Sequence, residues 1–536
     1  MREPGLLQQR VPAPAVWILA ILGLIVAGQW MQSQVHLNHD VSYFIHFSRW
    51  LLQGRTLGVD LHDGNLPMTW GIFMPAAAMV QFGWMHEAAA VQLTFWIYTL
   101  VSVLLSITLL GRVQGIGRPT SAGWIIALAL VAALAPGFSF GQREHASVLF
   151  AMPYLAAAVL RLERAPVPSM PLAICVGVLA GVGFALKPYF LAIPALVELL
   201  LLVRLGWRAL FARAESLALA LTVICYVLGA LVFLFDYLKF TIGFTLDAYW
   251  AFSIDNFPVI LERFAHVAQP LVYGILIALV TRTWSHHHTV MLLAWLGYAI
   301  SYFVQSKGFV YHAYPVLVCS ITFLGICLGR GLARAWVDFE GKKTPGTIAI
   351  LLAATLCALP PIKRAHDDIV RWYFTYNIAG GPIGQYRQAV IKLVDHYAPT
   401  RQSYFFAFTT HPFPGFPTAS YTVADYAGRA IAQNFIPAYA RLDEVSDRAQ
   451  RAGIIRAARY QRRTVIEDFE RRPPAIVFAD AARYRLGMNG RQFDDLAFYL
   501  EDPEFGRIWA RYEELPRFGT LRVFVLRSLL SQGSGH

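Results

Sequence analysis

Of 536 residues, 57% are hydrophobic and only 15% are charged. Soluble domains carry roughly 25% charged residues, so these proportions exclude an ordinary soluble protein and point to an integral membrane protein. The net charge of +12 suits basic loops at one membrane face and requires no nucleic-acid partner. Cys175, Cys225, Cys319, Cys327 and Cys357 all lie in apolar segments without a CxxC spacing, which argues against a metal or redox motif.

A helix needs about 20 apolar residues to cross the hydrocarbon core. The first such stretch covers 12–32. It is too long, and too poorly flanked by small residues, for a cleaved signal peptide, and it reads as a retained span. A long loop, 33–87, follows. Within it, Asp40–Leu52 suits an amphipathic helix with Phe44, Phe47 and Leu51 on one side, expected to rest that side in the acyl boundary. Leu66–Phe82 is apolar but short and broken by Pro67 and Pro75, so it reads as a surface-lying or re-entrant helix.

Further spans are expected at 88–110, 122–138, 146–161, 169–186, 188–203, 215–235, 267–281, 288–304, 313–329 and 345–360, about eleven in all. With the N-terminus inside, the inner loops collect the Arg112, Arg161, Arg204, Arg282 and Arg330 groups together with Lys342 and Lys343. The outer loops keep a sparser set, including Arg49, Arg143, Lys187 and Lys307, as the positive-inside rule requires. Counting Leu66–Phe82 as a twelfth span would invert that pattern.

An odd span count puts the tail, 361–536, on the outer side with the first loop. Ser403–Phe408, Ala475–Phe478 and Leu521–Leu526 read as strands. Gln385–His396 and Val423–Ala432 read as helices. The tail is long enough for a small α/β domain with its own core. The basic run Arg441–Arg472 reads as a helix with either a solvated face or one resting on anionic lipid.

The polar residues near span ends are the candidates for chemistry. Asp40 stands where an aspartate caps a helix and complements its dipole. Gly141-Gln142-Arg143-Glu144-His145 sits at a span mouth, where charged side chains are costly unless they face a cavity. Its alternative is an Arg143–Glu144 pair snorkelling at the interface. Lys187-Pro188-Tyr189 is a tight turn between spans. Lys307, Tyr311 and His312 bracket aromatics at another boundary, a composition equally at home in an aromatic belt. His286-His287-His288 cannot all face one ion from a helix and reads as a polar cap. The loop Asp236–His266, with Asp247, Asp255, Asn256 and Glu262, is a candidate wall for an acceptor groove.

Asp40, Tyr43, Leu51-Leu52-Gln53-Gly54, Asp60 and Asn65-Leu66-Pro67, set behind a first span in a many-span chain with a polar tail, resemble the GT-C superfamily. Its members are membrane glycosyltransferases that use lipid-phosphate sugars. The resemblance implies a polytopic α-helical fold with an extracytoplasmic α/β domain, and the Ala/Arg-rich composition without eukaryotic sorting signals points to a bacterial cytoplasmic membrane. It also implies sugar transfer from a polyprenyl-phosphate carrier to a glycan, lipid or protein acceptor at the outer face. On that reading Asp40 is the general base, and Asp60, His62, Asp63 and Glu144 support the acceptor. Arg143, His145, Lys187, Lys307, Tyr311 and His312 then hold the donor phosphate. Many members have two adjacent acids at the first position. Here it is His39-Asp40, so a divalent cation is not favoured. The rival classes are a transporter or flippase for a lipid-linked or anionic substrate, and a non-catalytic scaffold.

Overall fold

The computed structural model describes residues 14–113, 117–253, 257–340 and 377–531. Ten of the eleven expected spans coincide with helices; the eleventh, 345–360, lies outside the described residues, as do Asp255, Asn256 and Cys357. The first loop is flanked by α1 (Pro14–Ser33) and α5 (Glu87–Leu110), and holds α2 (His39–Leu52), α3 (Met68–Gly71) and α4 (Met74–Gln81). The bundle continues with α6 (Gly117–Leu134), α7 (Arg143–Leu162), α8 (Met170–Ala185), α9 (Ala192–Leu205), α10 (Arg208–Phe211), α11 (Ala214–Phe233), α12 (Phe235–Asp247), α13 (Phe257–Val280), α14 (His286–Gln305) and α15 (Val310–Glu340). Among the described residues, seven helices are long and apolar enough to cross a membrane, and two shorter apolar ones accompany them.

α7 is the axis of this bundle, with all but one of its twenty residues buried. Its neighbours close on one another through small residues, as helices do where lipid removes the hydrophobic drive to associate. A Cβ on Gly123 of α6 would stand 2.1 Å from the carbonyl oxygen of Gly325 on α15, and one on Gly177 of α8 would stand 2.2 Å from that of Glu215 on α11. Only glycine permits those approaches.

Leu66–Phe82 forms two short helices that begin beside Pro67 and Pro75, where a proline's missing N–H costs nothing. α2 corrects an expectation. Its residues Val41–Ser48 and Trp50 are buried on every side. Phe44 and Phe47 pack on Trp70 and Phe73, and Tyr43 and Phe47 meet Phe416 of the tail. Protein, not an acyl boundary, covers the aromatic face.

The C-terminal unit, 377–531, begins with a bridge from Ile378 back to Val35 at the end of α1. It contains α16 (Pro382–Tyr397), α17 (Ile436–Ala440) and α18 (Arg448–Arg471). Its five-stranded sheet has β1 (Tyr404–Phe408), β2 (Asp425–Tyr426), β3 (Ile476–Asp480), β4 (Tyr512–Phe518) and β5 (Leu521–Leu526), in the order β2-β1-β3-β5-β4. β1 runs parallel to β2 and β3, while β5 is antiparallel to β3 and β4. The helix expected over Val423–Ala432 is absent. Asp425 and Tyr426 instead pair with Tyr404 and Phe405, and Tyr426 stacks on Phe406. Cross-strand packing overrides the local pattern there.

The basic run is helical from Arg448, but several of its arginines turn to the protein itself. Arg462 reaches Glu501, Arg463 reaches Glu504, and Arg451 donates to the Val445 carbonyl.

Candidate functional site

Asn38, not Asp40, caps α2: its Oδ1 accepts the Asp40 backbone N–H at 2.8 Å. That leaves the Asp40 carboxylate for other partners. Gln142, at the start of α7, donates from Nε2 to both Asn38 Oδ1 (2.9 Å) and Asp40 Oδ2 (3.1 Å). The other carboxylate oxygen stands 3.6 Å from His39 Nε2. Gly141, at φ +81°, brings the chain against Val41 and so seats the start of α7 on α2.

From that start Arg143 and Glu144 point to opposite partners. Arg143 donates from Nη1 to Asn65 Oδ1 and lies over the Phe44 ring, while its buried Nε has no partner. Its electrostatic neighbours are Glu144, Tyr311, Asp40 and Tyr249. Glu144 is fully buried and accepts from Lys187 Nζ at 2.5 Å. Lys187 also donates to Gln305 Oε1 (2.7 Å) and His312 Nε2 (3.2 Å), with the Tyr311 ring 5.9 Å away. An ammonium has three donors, and those of Lys187 are all engaged. Lys307 donates to the Tyr249 carbonyl and to Ser253 Oγ, both at 2.8 Å, and lies 4.1 Å over the Tyr249 ring.

Asp63 is buried on the loop before α3. Its carboxylate accepts from Gly64 N (2.7 Å) and from Asn65 Nδ2 (2.5 Å), which links it to Arg143 through Asn65. Burial pushes its carboxyl up to about 6, against the opposing pull of Asn65, Gly64 and Arg143. A carboxyl raised in this way favours folding below its unfolded value and stops doing so as pH rises through about 6. Asp63→Asn should therefore flatten the dependence of melting temperature on pH between about 4 and 6 and raise it at pH above that window. Thermal melts of the two proteins across that range provide the check; parallel curves would contradict the raised carboxyl.

The structure thus brings Asp40, Asp63, Arg143, Glu144, Lys187, Lys307, Tyr311 and His312 to one end of the bundle, on five separate chain segments. Three residues expected with them lie elsewhere. His145 is a core histidine, set between Phe95, Phe140 and Tyr314, with Nδ1 accepting from Gly141 N. Asp60 turns back on its own loop, accepting from Thr56 N at 3.0 Å. His62 faces the C-terminal unit: its N–H donates to the Arg429 carbonyl and its Nε2 meets Tyr460 Oη at 3.0 Å. Burial, with Arg429 nearby, holds that imidazole down at about 4. Its surroundings form a narrow cleft walled by Phe240, Phe244, Arg429 and Tyr460.

At the far end of α7, His288 closes a cap with Ser285, and His286 lies 3.1 Å from Glu163. Among the described residues, no group of three His, Cys, Asp or Glu side chains is arranged to hold a metal ion.

Lys187 and Glu144 also define a stability test. Removing one member of a buried ion pair strands the other charge, at a cost of about 3–5 kcal/mol. Lys187→Met alone should lower the melting temperature sharply, and adding Glu144→Gln should recover most of the loss. Equal, additive losses in the double variant would show that the two residues are uncoupled.

Sequence reasoning missed a second polar cluster that docks the C-terminal unit. His46 of α2 lies 3.2 Å from Glu87 Oε1 and 2.8 Å from Asp425 Oδ1. Arg49 reaches both carboxylates, Arg55 and Trp50 reach Asp425, and Ser420 donates to Glu87 at 2.5 Å. Burial disfavours a charged His46, but the two carboxylates outweigh it and raise its pKa. Asp425 is likewise held well below the usual carboxylate range despite its burial, by His46, Arg49 and Arg55. A histidine on an apolar helix face carries no local mark of such partners. Tyr249 and Ser253 were equally silent, being ordinary interface residues until the fold gathers them. No family model matches the chain, and no curated protein matches it either.

Proposed function

We propose that this chain is a GT-C-type glycosyltransferase that moves a sugar from a polyprenyl-phosphate carrier to an acceptor at the outer face of a bacterial cytoplasmic membrane. One observation carries the reading. A carboxylate free of capping duty, the half-buried Asp40, is an electrostatic neighbour of an arginine, Arg143, whose guanidinium keeps an unpartnered buried nitrogen.

That pairing suits displacement at an anomeric carbon. The acceptor hydroxyl oxygen forms a bond to C1 as the bond from C1 to the phosphate oxygen breaks. The hydroxyl proton passes to Asp40, a general-base contribution of about 10²–10⁴-fold. The leaving polyprenyl phosphate takes the electron pair, and Arg143 offsets its charge. Lys307, lying over the Tyr249 ring, adds a second positive charge on the donor side. Lys187, committed to Glu144, Gln305 and His312, braces the cluster and keeps Arg143 in place. The acceptor approaches from the side of Asp63 and the C-terminal unit.

The test compares a deletion strain with its complemented parent, by mass spectrometry of envelope glycans and extracted polyprenyl-phosphate sugars. The expected result is the loss of one sugar from the envelope together with accumulation of its lipid-linked form on the outer leaflet. Unchanged envelope glycans would overturn the proposal. Accumulation confined to the inner leaflet would also overturn it, in favour of a flippase.

A further inference from the structure

Three consecutive residues of the first loop, Asp63, Gly64 and Asn65, are seated on one face of α12. Tyr237, Thr241 and Phe244, spaced four and three residues apart, make that face and are all buried. Thr241 Oγ1 donates to the Asp63 carbonyl (3.1 Å), and Tyr237 Oη donates to the Asn65 carbonyl. A Cβ on Gly64 would stand 2.8 Å from the Phe244 ring, so the loop lies flat against the helix. With its backbone held there, the Asn65 side chain stands between two charged groups. Its Oδ1 accepts from Arg143 Nη1, and its Nδ2 donates to Asp63 Oδ2 at 2.5 Å. A guanidinium donor on one side and a carboxylate on the other allow the amide only that orientation. Among the described residues, the one hydrogen bond of this guanidinium goes to a neutral oxygen, not to a carboxylate, and its buried Nε has no partner. Asp63 still feels the arginine's charge.

We infer that Asn65 is a positioning residue for Arg143, a neutral spacer that holds the guanidinium and keeps Asp63 from pairing with it. This rests on the role of Arg143 at the leaving phosphate proposed above. An arginine and a carboxylate in direct contact form a bidentate pair, which has no net charge to offer a developing anion. An amide satisfies one guanidinium N–H and one carboxylate oxygen without cancelling either charge. Arg143 therefore keeps its positive charge for the phosphate, where stabilising developing charge lowers the barrier. The other titratable groups facing Asp63 are the phenols of Tyr43 on α2, Tyr237 on α12 and Tyr249, which are uncharged at neutral pH.

The experiment measures initial transfer rates across pH for wild type, Asn65→Asp and Asn65→Ala. Full-length protein is supplied to deletion-strain membranes, whose own lipid-linked sugars and acceptors serve as substrates. Asn65→Asp places a carboxylate of the same shape on Arg143 and beside Asp63. At about pH 8 it should cost on the order of 10²-fold in rate, as loss of one charge-stabilising donor does. Two adjacent carboxylates raise the pKa of one of them. Once protonated, the new carboxyl accepts from Arg143 and donates to Asp63 as the amide did. The deficit relative to wild type should therefore shrink as pH falls toward about 5.5. Asn65→Ala cannot regain either bond and should lose roughly tenfold at every pH. A pH-independent deficit in Asn65→Asp would reduce Asn65 to a structural part of the loop and overturn the inference. A wild-type rate in Asn65→Ala would also overturn it, whether or not the aspartate variant folds. Either result leaves glycosyl transfer intact, whereas absence of transfer by wild type would refute the function on which the inference depends.

Discussion

Asp40→Asn should reduce glycosyl transfer by about 10²–10⁴-fold while leaving the protein's melting temperature and membrane abundance near those of wild type. Two features of the structure make these effects separable. The α2 cap is the Asn38 side chain, and it bonds the backbone of residue 40, so the substitution spares it. An asparagine also preserves an oxygen for Gln142 Nε2, which reaches Asp40 at 3.1 Å. What it removes is the capacity to accept a proton. Transfer measured in deletion-strain membranes, alongside thermal melts of the same preparations, distinguishes the outcomes. Full activity in Asp40→Asn would exclude the residue as base and leave it a dipole-complementing residue of the first helical turn.

His46→Ala should loosen the C-terminal unit from the helical part by about 3 kcal/mol, the lower end of the cost of breaking a buried ion pair, since Arg49 still contacts both stranded carboxylates. Faster proteolysis of residues 377–531 and faster hydrogen exchange at β1 and β2 would report it. The pH dependence follows from the same cluster. His46, whose pKa is raised in the folded protein, favours docking fully below its unfolded value near 6.5 and stops as pH rises through the higher folded value. Asp425, whose pKa is depressed, favours docking above the ordinary carboxylate range and stops only as pH falls through its lower folded value. Docking should therefore weaken on the alkaline side first, and that weakening should vanish in His46→Ala. An unaltered alkaline limb in the variant would mean that another group sets it.

The membrane class was legible because it rests on sums. Long uncharged stretches must become helices that satisfy their own backbone, wherever they pack, and ten of the eleven expected spans coincide with helices for that reason. β1, β3 and β5 were legible from short aromatic and β-branched runs. β2 was not, because only two of its residues pair, and they do so with residues 21 positions earlier, Tyr404 with Asp425 and Phe405 with Tyr426. The outward face assigned to Phe44 and Phe47 failed on similar grounds: periodicity shows that a helix has an apolar side, but not whether lipid or Trp70, Phe73 and Phe416 will cover it.

The candidate site divides along the same line. Arg143, Glu144, Lys187, Lys307 and His312 stood out in the sequence because charge at a span end is expensive and demands a partner. The partners themselves came only with tertiary structure. Lys187 and Glu144 are 43 residues apart, and Lys187 and His312 are 125 apart. Local pattern carries no information about pairings at that range. Nor could it distinguish His145, enclosed by aromatic rings, from His46, held between two carboxylates. By itself the sequence determined which groups water and lipid would not accept alone; the packing of helices and sheet decided which of them meet, because the free energy of a buried charge depends on its neighbours in space and not along the chain.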